Sequence, residues 1–158
     1  MSPENTIALA GNPNSGKTTL FNALTGARQR VGNYPGVTVE RKEGTYLHNN
    51  SRLHVVDLPG TYSLTAYSME EVVARDFLVT EKPRLVIDIV DATNLERHLY
   101  LALQFLEMGV SLAIALNMMD LAKNRGVRID VEKLSILLGV PVIPTVARTG
   151  QGKMELMD

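Results

Sequence analysis

This chain predicts an α/β fold, a mainly parallel sheet with helices on both faces, and three observations lead there. Apolar runs of strand length alternate with stretches of helical period, the runs are apolar on both faces, and a glycine-rich loop joins the first run to the first helix. Ile7 to Ala10, Leu85 to Val90 and Leu112 to Leu116 read as buried strands, with Val142 to Val146 a fourth. Helical spacing runs from Lys17 through Leu24, and returns over Met69 to Val79 and Asn94 to Met108. One segment breaks the alternation. Thr38 to Leu47 and Leu53 to Leu58 flank His48-Asn49-Asn50-Ser51-Arg52, a polar turn too short for a crossover helix, so these runs form an antiparallel hairpin. The expected sheet has six strands, one of them an antiparallel edge strand, with right-handed crossovers. Leu121 to Leu138 is helical in parts, broken around Asn124-Arg125-Gly126. Gly150 to Asp158 reads as a truncated last helix, so the 158 residues are expected to form one domain, 1–158, excised from a longer chain.

Composition narrows the classes of partner. Sixteen Lys and Arg against seventeen Asp and Glu leave a net charge of −1, which gives no broad field for nucleic acid or an anionic membrane. With no cysteine there is neither a disulfide framework nor a thiolate metal site. The most apolar run, Val110 to Met119, is interrupted by Ser111 and Asn117 and falls far short of the ~20 residues a spanning helix needs. Met1 to Asn5 has neither a basic nor an apolar leader region, so the polypeptide as it stands reads as soluble. His48, His54 and His98 fall on a turn, a strand and a helix without ligand spacing. Arg28, Arg30, Arg41 and Lys42 read as solvated surface, as does the first helical turn at Glu70-Glu71.

Chemistry concentrates in a few loops. Gly11-Asn12-Pro13-Asn14-Ser15-Gly16-Lys17-Thr18 is a complete G-x-x-x-x-G-K-T loop between strand and helix. Its glycines let backbone N–H groups wrap an anion, and the helix dipole adds to the pull. Lys17 reaches the β- and γ-phosphates and Thr18 offers a hydroxyl to Mg²⁺; Asn12, Asn14, Ser15, Gly16 and Thr19 complete the candidate phosphate-binding set. Asp57-Leu58-Pro59-Gly60 ends the third strand, where Asp57 serves the Mg²⁺ shell and the Gly60 N–H senses the γ-phosphate. Thr38, in the Gly- and Pro-rich stretch from Gly32 to Glu40, is assigned as the second hydroxyl on Mg²⁺, closing only over a triphosphate; Thr45 competes but lies within the hairpin.

Asn117-Met118-Met119-Asp120 resembles the N-K-x-D motif by which Ras-like GTPases read guanine. That implies Asp120 accepting from guanine N1–H and the exocyclic amine, with Asn117 orienting the loop and meeting the N7 and O6 side. Met118 stands where lysine is usual, so its stem covers the base without a charge. In the last loop, Val146-Ala147-Arg148-Thr149-Gly150 has Ala147 where serine is common, leaving the N–H groups of Ala147 and Arg148 to serve the base. Weak affinity and fast GDP release are expected.

Together with Val31 to Glu40, Asp57 to Leu64 and Arg75-Asp76-Phe77-Leu78, these stretches resemble the cytosolic G domain of the prokaryotic ferrous iron transporter FeoB over nearly the whole chain. The resemblance implies a Ras-like P-loop GTPase regulating Fe²⁺ transport, on the cytoplasmic side of the inner membrane, preceding helical and membrane permease domains in the parent chain. It also implies a potassium-assisted mechanism: Asn14 with carbonyls around Gly32 and Tyr34 would hold K⁺, compensating for Thr61 where many Ras-like enzymes have a water-orienting glutamine. The expected catalytic set is then Lys17, Asn14, Thr38 and Gly60, the ligands are GTP or GDP, Mg²⁺ and K⁺, and a homo-oligomer is compatible. Two alternatives remain at this point. One is a related GTPase acting in RNA modification or ribosome assembly, although no basic face is visible. The other is a signalling module whose hydrolysis is incidental.

Overall fold

The computed structural model describes residues 5–48, 50–65, 67–150, 152 and 156. Its sheet has seven strands in the order β2-β3-β4-β1-β5-β6-β7. They are β1 (Thr6–Gly11), β2 (Gln29–Asn33), β3 (Glu40–His48), β4 (Ser51–Asp57), β5 (Leu85–Asp91), β6 (Leu112–Asn117) and β7 (Val142–Pro144). The helices are α1 (Lys17–Thr25), α2 (Met69–Glu81), α3 (Leu95–Met108), α4 (Met119–Asn124) and α5 (Val131–Leu138). β1 pairs in parallel with β4 and β5, β5 with β6, and β6 with β7, while β3 runs antiparallel to both β2 and β4.

Burial explains the layering. β1 is buried along its whole length, and its residues alternate between two cores. Ile7 and Leu9 join Leu20, Phe21 and Leu24 of α1, whereas Ala8 and Ala10 face a core that holds Phe77 of α2 with Leu101 and Phe105 of α3. The period-2 alternation of a strand thus delivers one side chain to each helical layer in turn. A third core, with Ile114, Leu116, Ala122 and Val142, closes the β6–β7 end. The expected break in the long helical stretch falls between α4 and α5, where Gly126 has φ 76°. The expected last helix lies mostly outside the described residues; of it, Leu156 is helical and packs into the α1-side core.

The strand count is corrected from six to seven. β2 occupies part of what the sequence suggested was irregular loop, and Gly32 sits within it opposite Arg41 of β3. Every β2 residue is exposed, so no apolar alternation marks it; ladder hydrogen bonds hold it instead. Gly44 of β3 makes room for the approach, because a Cβ there would stand 2.6 Å from both the Arg28 carbonyl oxygen and a Thr25 methyl.

β5 carries one electrostatic anomaly. Asp88, paired in register with Ala10 and Ile114, is 1% exposed, and its Oδ2 has no hydrogen-bond partner. Burial raises its carboxyl well above the ordinary value of 3.8. The folded chain therefore keeps a proton that the unfolded chain releases. This contribution to stability is fully present below the unfolded pKa and declines as pH rises toward the folded one. Asp88→Asn should gain thermal stability relative to the parent chain as pH is raised from about 5 to about 8. Parallel melting-temperature profiles for the two proteins would contradict a protonated Asp88.

Candidate functional site

The loops that follow β1, β4, β6 and β7 meet at one end of the sheet, as parallel strands require. A cleft of about 450 Å³ opens there, lined by Asn12, Pro13, Asn14, Gly16, Lys17, Thr18, Thr19 and Gly60. Gly16 has φ 96°, and a Cβ on it would stand 2.1 Å from Asn117 Nδ2, so the turn into α1 admits only glycine. Asn14 is also left-handed, at φ 68°. The amide of Asn12 and the hydroxyl of Ser15 are buried with no partner. Unspent polar groups beside an ammonium, under exposed hydroxyls of Thr18 and Thr19, suit a highly charged, oxygen-rich anion.

Lys17 Nζ donates to Asp57 Oδ1 at 2.5 Å, the side chains being 10% and 8% exposed. Burial raises the Asp57 carboxyl, and the Lys17 ammonium offsets part of that rise. The end of β4 is fixed by Leu58 N–H donating to the Leu9 carbonyl, and Thr61 N–H donates to the Gly11 carbonyl. These bonds bring the Asp57-Leu58-Pro59-Gly60 turn against the phosphate loop. A Cβ on Gly60 would touch Pro13 at 3.4 Å.

Asn117, buried at the end of β6, spends both ends of its amide inside the protein. Its Nδ2 donates to the Ser15 carbonyl at 2.9 Å, while its Oδ1 accepts from Ala147 N–H at 2.9 Å and from Thr145 Oγ1 at 3.3 Å. The Ala147 N–H expected at the base is thus engaged with Asn117. Met118 takes a left-handed conformation, φ 60°, and caps α4. Asp120 follows in the first turn of α4, where Arg148 Nη2 donates to its Oδ2 at 2.6 Å and holds its carboxyl below the usual range.

The stretch from Gly32 to Glu40, expected to act as the first switch, stands apart. Thr38, Gly32 and Tyr34 do not line the cleft. Thr38 is exposed, and the Tyr34 side chain is buried edge-on to Phe77 of α2 at 6.5 Å between centroids. The Arg41 guanidinium lies over both rings, 5.4 and 5.7 Å from their centroids. Arg41, read from sequence as solvated surface, is therefore the clasp between β3 and α2. Glu71 was read the same way. It instead accepts from Ser63 Oγ at 2.7 Å and from Thr65 N–H at 3.1 Å, gathering the loop after Gly60. The signal was available: Ser68 to Glu71 carries the S-x-x-E pattern of a helix start, and Glu71 N–H donates to Ser68 Oγ at 3.1 Å while Ser68 Oγ donates to Glu71 Oε1 at 3.2 Å.

Comparison with known proteins places this geometry. A family model described as ferrous iron transport protein B matches residues 5–158. The Fe(2+) transport protein A/Fe(2+) transporter FeoB fusion protein of Porphyromonas gingivalis is 54% identical over 153 residues, 96% of this chain and 18% of that protein. The Fe(2+) transporter FeoB of Salmonella typhimurium is 56% identical over 151 residues, 93% of this chain and 20% of that one. The chain thus spans about a fifth of the length of these relatives. Among solved structures, the FeoB G-domain from Methanococcus jannaschii has TM-score 0.87 at 54% identity, over 99% of this chain and 94% of its own. A GDP-bound NFeoB variant from S. thermophilus has TM-score 0.92 at 52% identity, over 99% of this chain and 60% of that one. With the phosphate loop, the Asp57 turn and the Asn117–Asp120 motif assembled on this sheet, the chain belongs to the ferrous iron transport protein B family, and its fold is that of the family's G domain.

Proposed function

We propose that this chain binds GTP, hydrolyses it slowly to GDP and phosphate, and acts as a switch regulating Fe²⁺ passage through the membrane part of a longer FeoB chain. The carrying observation is the bond from Asn117 Nδ2 to the Ser15 carbonyl, which ties the guanine-reading motif to the phosphate loop so that both address one ligand. The GDP-bound relative from S. thermophilus supports the choice of nucleotide. Lys17 and the backbone of residues 12–19 bind and orient the phosphates, and Gly60 N–H senses the γ-phosphate.

Mg²⁺, which would neutralise charge on the phosphates, would be held by Thr18, Thr38 and Asp57. The buried carboxylate of Asp57 and the exposed hydroxyl of Thr18 suit a hard cation. K⁺ would be held by Asn14 with carbonyls near Gly32 and Tyr34. Asn14 already lines the cleft, whereas Gly32, Tyr34 and Thr38 do not and would have to move to reach it. Thr61 is buried and has no amide for orienting water, in keeping with slow turnover.

On this reading the chain works on the cytoplasmic side of a prokaryotic inner membrane. Its partners are guanine nucleotide, the helical and permease domains of the parent chain and, in addition, copies of itself. No described helix is long and apolar enough to cross a membrane. The RNA-directed alternative loses ground to the family assignment.

Two experiments test the proposal. Asp120→Asn should weaken GTP binding by roughly tenfold to a hundredfold, as expected when a paired donor fork loses its acceptor. It should also strengthen xanthosine triphosphate binding, and unchanged selectivity in competition titrations would refute the base assignment. Phosphate release should be faster in KCl than in NaCl at equal ionic strength, and Asn14→Ala should abolish the difference. Equal rates in the two salts would remove K⁺ from the mechanism.

A further inference from the structure

Arg148 is one of the more solvent-facing side chains around the site, 75% exposed, yet its guanidinium is turned onto the 32%-exposed carboxylate of Asp120 at 2.6 Å. The backbone beneath it is fixed. Ala147 N–H is held by Asn117, and Thr149 and Gly150 N–H both donate to the Val146 carbonyl at 3.0 Å. The Arg148 side chain can therefore swing without the loop moving.

The chemistry of the two groups that want this carboxylate is the same. A guanidinium is a planar N–C–N unit presenting a fork of N–H donors to a carboxylate. Guanine offers that same fork through N1–H, C2 and the exocyclic amine. We propose that Arg148 is a built-in stand-in for the guanine edge, a specificity-determining residue that occupies Asp120 and that the base must displace on entry. The inference rests on Asp120 reading guanine, as proposed above.

Consequences follow from the exposure of the pair. A binding site partly occupied from within has its apparent affinity reduced by the fraction of time it is closed. An exposed ion pair is weak and screened by salt, so the reduction is modest, up to about fivefold, and largest at low ionic strength. Adenine carries no matching donor fork and cannot displace the arginine by substitution. Arg148 thus lowers affinity for the right base while keeping the carboxylate satisfied against the wrong one.

Equilibrium titration of the chain with N-methylanthraniloyl-GDP, alone and in competition with ADP, tests this in the parent, Arg148→Ala and Arg148→Lys. The alanine variant should bind the probe more tightly, by up to about fivefold at low salt, with the gap closing at high salt. The lysine variant should fall between, because it keeps the charge and loses the fork. Equal or weaker binding by Arg148→Ala at low salt, while the parent still prefers guanine, overturns the stand-in and leaves the base assignment intact. A parent chain that does not distinguish GDP from ADP overturns both.

Discussion

The site depends on one buried amide. Asn117 joins the phosphate loop, its own loop after β6 and the last loop through three hydrogen bonds, to Ser15, Thr145 and Ala147. Ser15 lies in one segment and Thr145 and Ala147 in another, and all three bonds are buried. Removing one side of such a contact leaves polar groups unpaired at about 1–3 kcal/mol each, so the loops are held as a unit. Gly16 is the geometric condition for this, since the Asn117 amide fills the volume a side chain there would take.

The Lys17–Asp57 pair shows the opposite character. Both charges are nearly buried and each satisfies the other, yet burial still raises the Asp57 carboxyl. A buried pair of this kind contributes little net stability, because desolvation offsets most of the attraction. For the proposed nucleotide and Mg²⁺ its value would lie in exchangeability, the ammonium trading the carboxylate for phosphate and the carboxylate trading the ammonium for the cation. Arg148 and Asp120 repeat the pattern at the base end, nearer solvent and so more weakly. The site thus combines a fixed amide, Asn117, with two ion pairs, Lys17–Asp57 and Arg148–Asp120.

How much of this could be read from the sequence depended on the range of the interaction. The buried strands and α1 to α3 announced themselves through apolar period and through the Gly-x-x-x-x-Gly-Lys-Thr spacing, both local signals. β2 did not, because Gln29 to Asn33 is an exposed edge with a glycine in it, and only pairing with β3 makes it a strand. Asn117 was legible as part of a motif, but its partner Ser15 is 102 residues away and the pairing cannot be seen in spacing. The contact of Arg148 with Asp120 and the clasp of Arg41 on Tyr34 and Phe77 were invisible for the same reason. Glu71 is different, since the S-x-x-E pattern lies in four consecutive residues, whereas the loop its carboxylate gathers is not marked by spacing.

The clasp sets the energetic condition for the switch proposed at Thr38. If bringing Thr38 to the cleft carries Tyr34 with it, that ring leaves its place against Phe77 and under Arg41. Exposing a side chain of that size, with the loss of an edge-on aromatic pair and a cation–π contact, costs about 3 to 6 kcal/mol. Turning a two-state element from almost wholly one state to almost wholly the other takes ~5.5 kcal/mol of differential binding, which is of the same order. Contacts made only with a γ-phosphate and its Mg²⁺ are of the charge-assisted kind that can supply it, whereas a diphosphate lacks them. Arg41 also reaches Glu81 at the end of α2, at 4.0 Å, so on the proposed switch the departure of Tyr34 would leave Arg41, over Phe77 and beside Glu81, as the link between β3 and α2. On the proposed switch, the state of the nucleotide would bear on a helix whose residues do not line the cleft.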